Sequence, residues 1–186
     1  MRPPRDGPKG GIVRNLIAIA AGLSLLIGVD AIAADPSAVA IQKLLDKSDI
    51  EAVVAKYVTA LDTLDADAYG DVFTDDAVYD VTGTVYKGRA AIRKIVTDLK
   101  ERRARNDAEG KATPKLYHVM SNSSVEILDA THARHQSYAQ TVRAADNGQF
   151  LVGFMGRYED ELVKTDGRWR IRSRKLVSFV PPSAPR

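Results

Sequence analysis

The chain has 186 residues, with 27 Lys and Arg against 24 Asp and Glu, a formal net charge of +3, and no cysteine. No disulfide can hold it together, and no Lys/Arg block interleaved with aromatics is present to follow a phosphate backbone. Nucleic acid is therefore not an expected partner.

The opening MRPPRDGPKGGIVR is basic, NLIAIAAGLSLLIGV is apolar, and DAIAAD places small residues, Ala31 and Ala33, at the two positions a signal peptidase reads. That order predicts a secretory leader over residues 1–33, cleaved after Ala33. The apolar run falls short of the about 20 residues a spanning helix needs. The expectation is a periplasmic or secreted protein with no membrane association once the leader is gone. Without residues 1–33 the net charge falls to +1, so the basic balance is largely the leader's. The remainder is long enough for one domain with one core over residues 34–180, followed by a Pro-rich tail at 181–186.

From Ala38 to about Leu64, apolar residues recur at helical spacing: Ile50, Val53, Val54, Tyr57, Val58, Leu61 and Leu64. This predicts an amphipathic helix. Asp65 or Asp67 then caps a short second helix through Phe73, because a carboxylate there accepts free backbone N–H groups. DAVYDVTGTVYKG predicts two short strands turning at Gly83. RAAIRKIVTDLKERRARND predicts a third helix with Ala91, Ile92, Ile95, Val96 and Leu99 inward.

After AEGKATP the apolar period changes to two, and strands are expected at about 115–128, 131–145, 149–164 and 168–180. Asn147-Gly148 and Asp166-Gly167 are hairpin signals, since the favoured two-residue turn needs positive φ. Helices first, then an antiparallel meander, describes an α+β domain.

Tight hairpins make the sheet register readable from the sequence. Taken outward from the three turns, one row reads His118, Thr141, Phe154, Phe179. Parity places Phe150, Val152, Phe154 and Tyr158 on one side of their strand, and Trp169, Ile171, Val177 and Phe179 on one side of theirs. Both are the apolar sets, so the row is expected to face the helices. Arg168, Arg170, Arg172 and Arg174 are expected on the opposite face with Arg134, Gln136 and Gln140. In the first strand of the meander, Tyr117, Val119, Val125 and Ile127 alternate against His118. The inward reading therefore requires a bulge near residues 121–124, of the kind that re-aims a side chain.

An inward histidine can be a satisfied core residue. Its expected company is a phenol, Tyr57, in the apolar stripe of the first helix, and a carboxylate, Asp62, at the stripe's edge. Apolar surroundings make a lone carboxylate costly unless something hydrogen-bonds it. A histidine, a phenol and a carboxylate on one cavity are the parts of a general acid/base site. His135 is expected opposite Ser124, about 20 Å along the sheet from His118's row at about 3.3 Å per residue, and is assigned to the sheet end. His132 reads as exposed beside its turn. No His/Asp/Glu cluster has metal-ligand spacing and no phosphate-binding glycine loop occurs, so neither a metal nor a cofactor is expected.

IEAVVAKYVTALDTLDADAYGDVFTDDAVYD, HVMSNSSVEI, ARHQSY and GRYEDELVKTDGRWRI together resemble the SnoaL-like branch of the NTF2-like superfamily. The resemblance implies a cone, in which a curved antiparallel sheet wraps three N-terminal helices around a cavity. Relatives in that branch include scytalone dehydratase, bile-acid 7α-dehydratase and ketosteroid isomerase. The spacing of Tyr57 and Asp62 resembles that of the bile-acid dehydratase, and His118 the histidine of the dehydratase branch. Asp65 is the nearer match to the scytalone dehydratase aspartate, so Asp62 and Asp65 both remain candidates. Thr141 departs from the pattern, which has a second titratable group there.

The resemblance implies a cofactor-independent lyase or isomerase acting on a hydrophobic polycyclic or steroid-like molecule. His118 would be the base, Asp62 its tuning partner and Tyr57 the oxyanion donor. Phe154, Phe179 and Tyr158 would wall the cavity, while Asn122 and Thr141 orient polar substituents. The competing expectation is a non-catalytic exported module that binds a small apolar ligand or dimerises. A homodimer is expected in either case.

Overall fold

In the computed structural model, residues 35–111, 113, 115–145 and 147–179 are described; the leader expected at 1–33 and the tail at 181–186 lie outside them. Asp35 starts α1 (Pro36–Thr63) by accepting the Ser37 N–H, and Pro36 takes the first helical position, where its missing N–H costs nothing. Leu64 ends the helix in the left-handed region at φ 56°. Asp65 then accepts from the Ala68 N–H at 2.9 Å and caps α2 (Ala66–Asp71). Asp67 instead pairs with Arg93.

β1 (Phe73–Val81) and β2 (Thr84–Lys87) form a hairpin whose two turn residues, Thr82 and Gly83, both have positive φ. After α3 (Arg89–Ala108) come β3 (Leu116–Ile127), β4 (His132–Ala144), β5 (Phe150–Thr165) and β6 (Arg168–Ser178). The six strands make one open sheet in the order β2-β1-β6-β5-β4-β3. All pairings are antiparallel except β1 with β6, which is parallel because the early hairpin docks on the last strand. β3 is a free edge.

The helices cover one face. Ile50, Tyr57, Ala60, Ile92 and Val96 pack there against Phe73, Ala77, Tyr158, Leu162 and Ile171. The start of α1 is fastened by Asp46, a buried acid that accepts from Lys164 Nζ at 2.7 Å and Trp169 Nε1 at 3.0 Å. A charge in the apolar stripe is tolerable because donors from both strands of the β5–β6 hairpin, beside its turn, reach it.

Besides a shift in β1 between Phe73 and Val78, three bulges in the β3–β6 meander set which of its side chains point inward, and they correct the register ruled from the turns. Between the pairs Ser121↔Tyr138 and Ser124↔Gln136, β3 sets two residues, Asn122 and Ser123, against the single Ser137 of β4, where the alternation required a bulge. β5 carries Gly153 between Phe154, opposite Thr141, and Val152, opposite Val142. β6 carries Arg172 between Ile171, opposite Leu162, and Ser173, opposite Glu161. His118↔Thr141↔Phe154 holds as expected. Phe179 does not join that row. The Arg172 bulge advances β6 by one residue, so the Phe179 N–H donates to the carbonyl of Met155, and Phe179 stands against Tyr138 on the outer face. The same slip carries Val177 outward and turns Arg174, expected outside, into the core at 1% exposure. Phe150 and Val152, beyond the Gly153 bulge, are exposed rather than inward. His135 lies opposite Val125, not Ser124, and is buried at 1% exposure.

Candidate active site

Asp62 lies in the last turn of α1, where the helix dipole disfavours an anion, so it needs donors. His118, near the start of β3, supplies them. Its backbone N–H reaches the two carboxylate oxygens at 3.1 and 3.2 Å, and its ring Nδ1 lies 2.6 Å from Oδ1. A carboxylate only accepts, so Nδ1 carries the proton, and in the neutral ring Nε2 is left with its lone pair. Among the described residues Nε2 has no hydrogen-bond partner, and the side chains of the pair are 22% and 17% exposed. The result is a fixed tautomer on a partly exposed ring.

Tyr57 does not join this pair. Its hydroxyl lies 3.0 Å from that of Tyr79, 3.2 Å from Tyr158 and 3.4 Å from Tyr69. One proton and two lone pairs allow three such bonds, so the phenol is saturated within a buried quartet. Burial, and then the neighbouring Tyr57, hold the phenols of Tyr69, Tyr79 and Tyr158 protonated well above their ordinary range. Tyr158, expected in the cavity wall, is 4% exposed and belongs to this core. Asp65 serves as the helix cap, which leaves Asp62 as the acid beside His118.

Thr141 pairs with His118 across the strands, and Phe154 with Thr141. Phe154 lines a cleft of about 950 Å³ at this end of the sheet, together with Leu176, Ser178 and the Thr82–Gly83 turn. Phe179 lines it too, from the outer face. His118 stands two strands from Phe154, about 10 Å at about 4.8 Å per strand. Asn122 is exposed in the β3 bulge at φ 51°.

A second histidine–aspartate pair was not foreseen as such. One inward row crosses the whole sheet: Val125, His135, Asp160, Arg174, Tyr79, Tyr86. Arg174 donates from Nε and Nη2 to the two oxygens of Asp160, both at 2.7 Å, and His135 Nδ1 donates to Asp160 at 2.7 Å. The guanidinium carbon lies 3.9 Å from the ring centre of Tyr57 and 4.4 Å from that of Tyr158. Burial alone would raise the Asp160 carboxyl, but the charge and hydrogen bonds of Arg174, with those of His135, hold it below the usual value. Unlike His118, His135 has both ring nitrogens engaged, since Ser123 Oγ lies 3.2 Å from Nε2. No group of three metal-ligating side chains occurs among the described residues.

Residues 42–175 match the SnoaL-like domain. The chain belongs to the SnoaL-like family. Solved structures agree with its NTF2-like fold of N-terminal helices and a curved, open sheet. A protein of unknown function from Mycobacterium tuberculosis is 26% identical at a TM-score of 0.64, the match covering 78% of this SnoaL-like chain and 79% of the other. An NTF2-like protein with a cystatin-like fold from Novosphingobium aromaticivorans is 22% identical at 0.66, covering 81% and 94%. A protein of the same organism named for scytalone dehydratase is 20% identical at 0.60, covering 76% and 89%. No curated protein matches the SnoaL-like chain in sequence.

Proposed function

We propose that this SnoaL-like protein is a cofactor-independent lyase or isomerase that abstracts a proton from a hydrophobic polycyclic or steroid-like molecule, causing loss of water or migration of a double bond. The observation that carries the reading is the 2.6 Å contact from Asp62 to His118 Nδ1, which leaves Nε2 as the available base. Phe154 and the cleft beside it would hold the apolar body of the substrate, and Asn122 its polar substituents. The Tyr57 hydroxyl is committed to the tyrosine quartet, so the hydrogen bond to a developing oxyanion passes to Thr141, directly across from His118. Export under the leader expected at 1–33 would place the activity in a periplasm or outside the cell. Turnover of a panel of hydroxylated polycyclic ketones, compared between the wild type and His118→Ala, tests the proposal. Loss in the variant is expected, and unchanged turnover would refute it.

A second reading has its own observation in support. The outer face of the sheet exposes Val119, Met155 and Phe179, with Tyr138 beside them. Such a patch suits a module that dimerises or binds ligand without chemistry, and a homodimer is compatible with both readings.

A further inference from the structure

β3 has two halves of opposite phase. On one side of the bulge His118 and Met120 face inward, opposite Thr141 and Ala139; on the other, Val125 and Ile127 do so, opposite His135 and Ala133. No regular strand satisfies both. If the bulge closed and residues 116–121 slid by one position, Tyr117, Val119 and Ser121 would turn inward and His118 would leave Asp62. The orientation of the base therefore depends on two residues, Asn122 and Ser123, in a strand with only one neighbour.

What holds those two residues comes from the buried row. Ser123 Oγ donates to His135 Nε2 at 3.2 Å, the ring is fixed by Asp160, Asp160 by two bonds from Arg174, and Arg174 by the faces of Tyr57 and Tyr158. The side chains of His135, Asp160 and Arg174 are 0% exposed, so the chain from β6 to β3 is rigid up to its last link. Asn122 supplies the left-handed conformation at φ 51°, which asparagine tolerates better than other side chains.

We propose that Ser123 and His135 are positioning residues, whose hydrogen bond locks the β3 bulge in the phase that turns His118 toward Asp62. This deepens the reading of His118 as the base, and the geometric part stands without it. The test is NMR of the His118 imidazole, assigned with His118→Gln, in Ser123→Ala, Ser123→Thr, Asn122→Val and Asn122→Gly. Ser123→Ala removes only a hydroxyl from an exposed residue, so it keeps the test decisive should the β-branched Asn122→Val fail to fold. Ser123→Ala and Asn122→Val are expected to lose the Nδ1–H tautomer and exchange that proton at least about tenfold faster, whereas Ser123→Thr and Asn122→Gly retain the wild-type signal. A folded Ser123→Ala with an unchanged Nδ1–H signal overturns the inference. Failure of the enzymatic reading shows separately, as a wild-type protein with the expected NMR response and no turnover.

Discussion

Gly156 lies under the ring of Phe154: a Cβ at position 156 would come 2.6 Å from Phe154 Cζ and would also meet the carbonyl of Val177. The glycine is there for space, since it lets the aromatic ring fold flat against the sheet at the edge of the cleft. Gly156→Ala is expected to destabilise the protein by about 1–3 kcal/mol, the usual range for overpacking. Adding Phe154→Ala should recover only the part owed to the ring, because the backbone contact remains. Urea midpoints of the wild type, the single variants and the double variant check this.

The Asp160–Arg174 pair is sealed from solvent, so removing one partner strands the other. Asp160→Asn leaves a buried guanidinium without its anion, and a loss of about 3–5 kcal/mol is expected. Replacing both, as Asp160→Asn with Arg174→Met, should cost less than Asp160→Asn alone, because an unpaired buried charge is worse than none. A double-mutant cycle in urea measures the difference.

The same pair fixes an acid limb. The native Asp160 carboxyl is held below its unfolded value of about 3.9, so the unfolded chain binds the proton more readily. Its contribution is fully present above that unfolded value and is lost as the pH falls through the native one. Stability followed from pH 6 to pH 2 should drop more steeply in the wild type than in Asp160→Asn.

The sequence made the helices legible because the apolar period marked α1, whose start it read at Ala38 rather than Pro36, and because Asp65, one of two caps it offered, opens α2. It also made the row from His118 to Phe154 legible, since a tight turn propagates register until a bulge interrupts it. What it hid was the phase beyond the bulges of β5 and β6. Arg174 read as one of four alternating arginines, and the adjacent Leu176 and Val177 give no parity to contradict that. One signal pointed the other way: Asp160 shares parity with the buried Tyr158 and Leu162, so an acid in that set demands a cation opposite. The turn rule puts Ser173 there, and a slip of one residue puts Arg174. Tyr57 was placed correctly on the inner face, but spacing along one helix cannot show that three other tyrosines, from α2, β1 and β5, would use up its hydroxyl.

The outer face predicts an assembly. Val119, Gln140, Met155 and Phe179 form one outward row, and the Phe179 ring meets Tyr138 edge-on at 5.7 Å. Met155 and Phe179 are 38% and 44% exposed, apolar area that a second copy of the chain would cover. Met155→Glu is expected to shift the leaderless protein from dimer to monomer in sedimentation velocity without changing its far-UV circular dichroism. A wild type that sediments as a monomer at all concentrations would remove the dimer from both functional readings.

The decisive substitution for the proposed reaction is Asp62→Asn. The carboxylate can only accept from Nδ1, whereas an amide can also donate to it, which lets the ring carry its proton on Nε2 and removes the lone pair the reaction needs. Asparagine keeps the size and some of the hydrogen bonding at the end of α1, so the fold should survive. If His118 is the base, turnover is expected to fall by about 10²- to 10⁴-fold, the usual scale of general-base catalysis, while affinity for an unreactive ligand of the cleft stays the same. The ring tautomer of His118, read by nitrogen NMR, supplies the independent readout. Asp62 accepts from Nδ1 in the wild type, so the ring proton is expected on Nδ1 there and is expected to lose that preference in Asp62→Asn. A tautomer that does not change would uncouple the two residues and leave the cleft as a binding site alone.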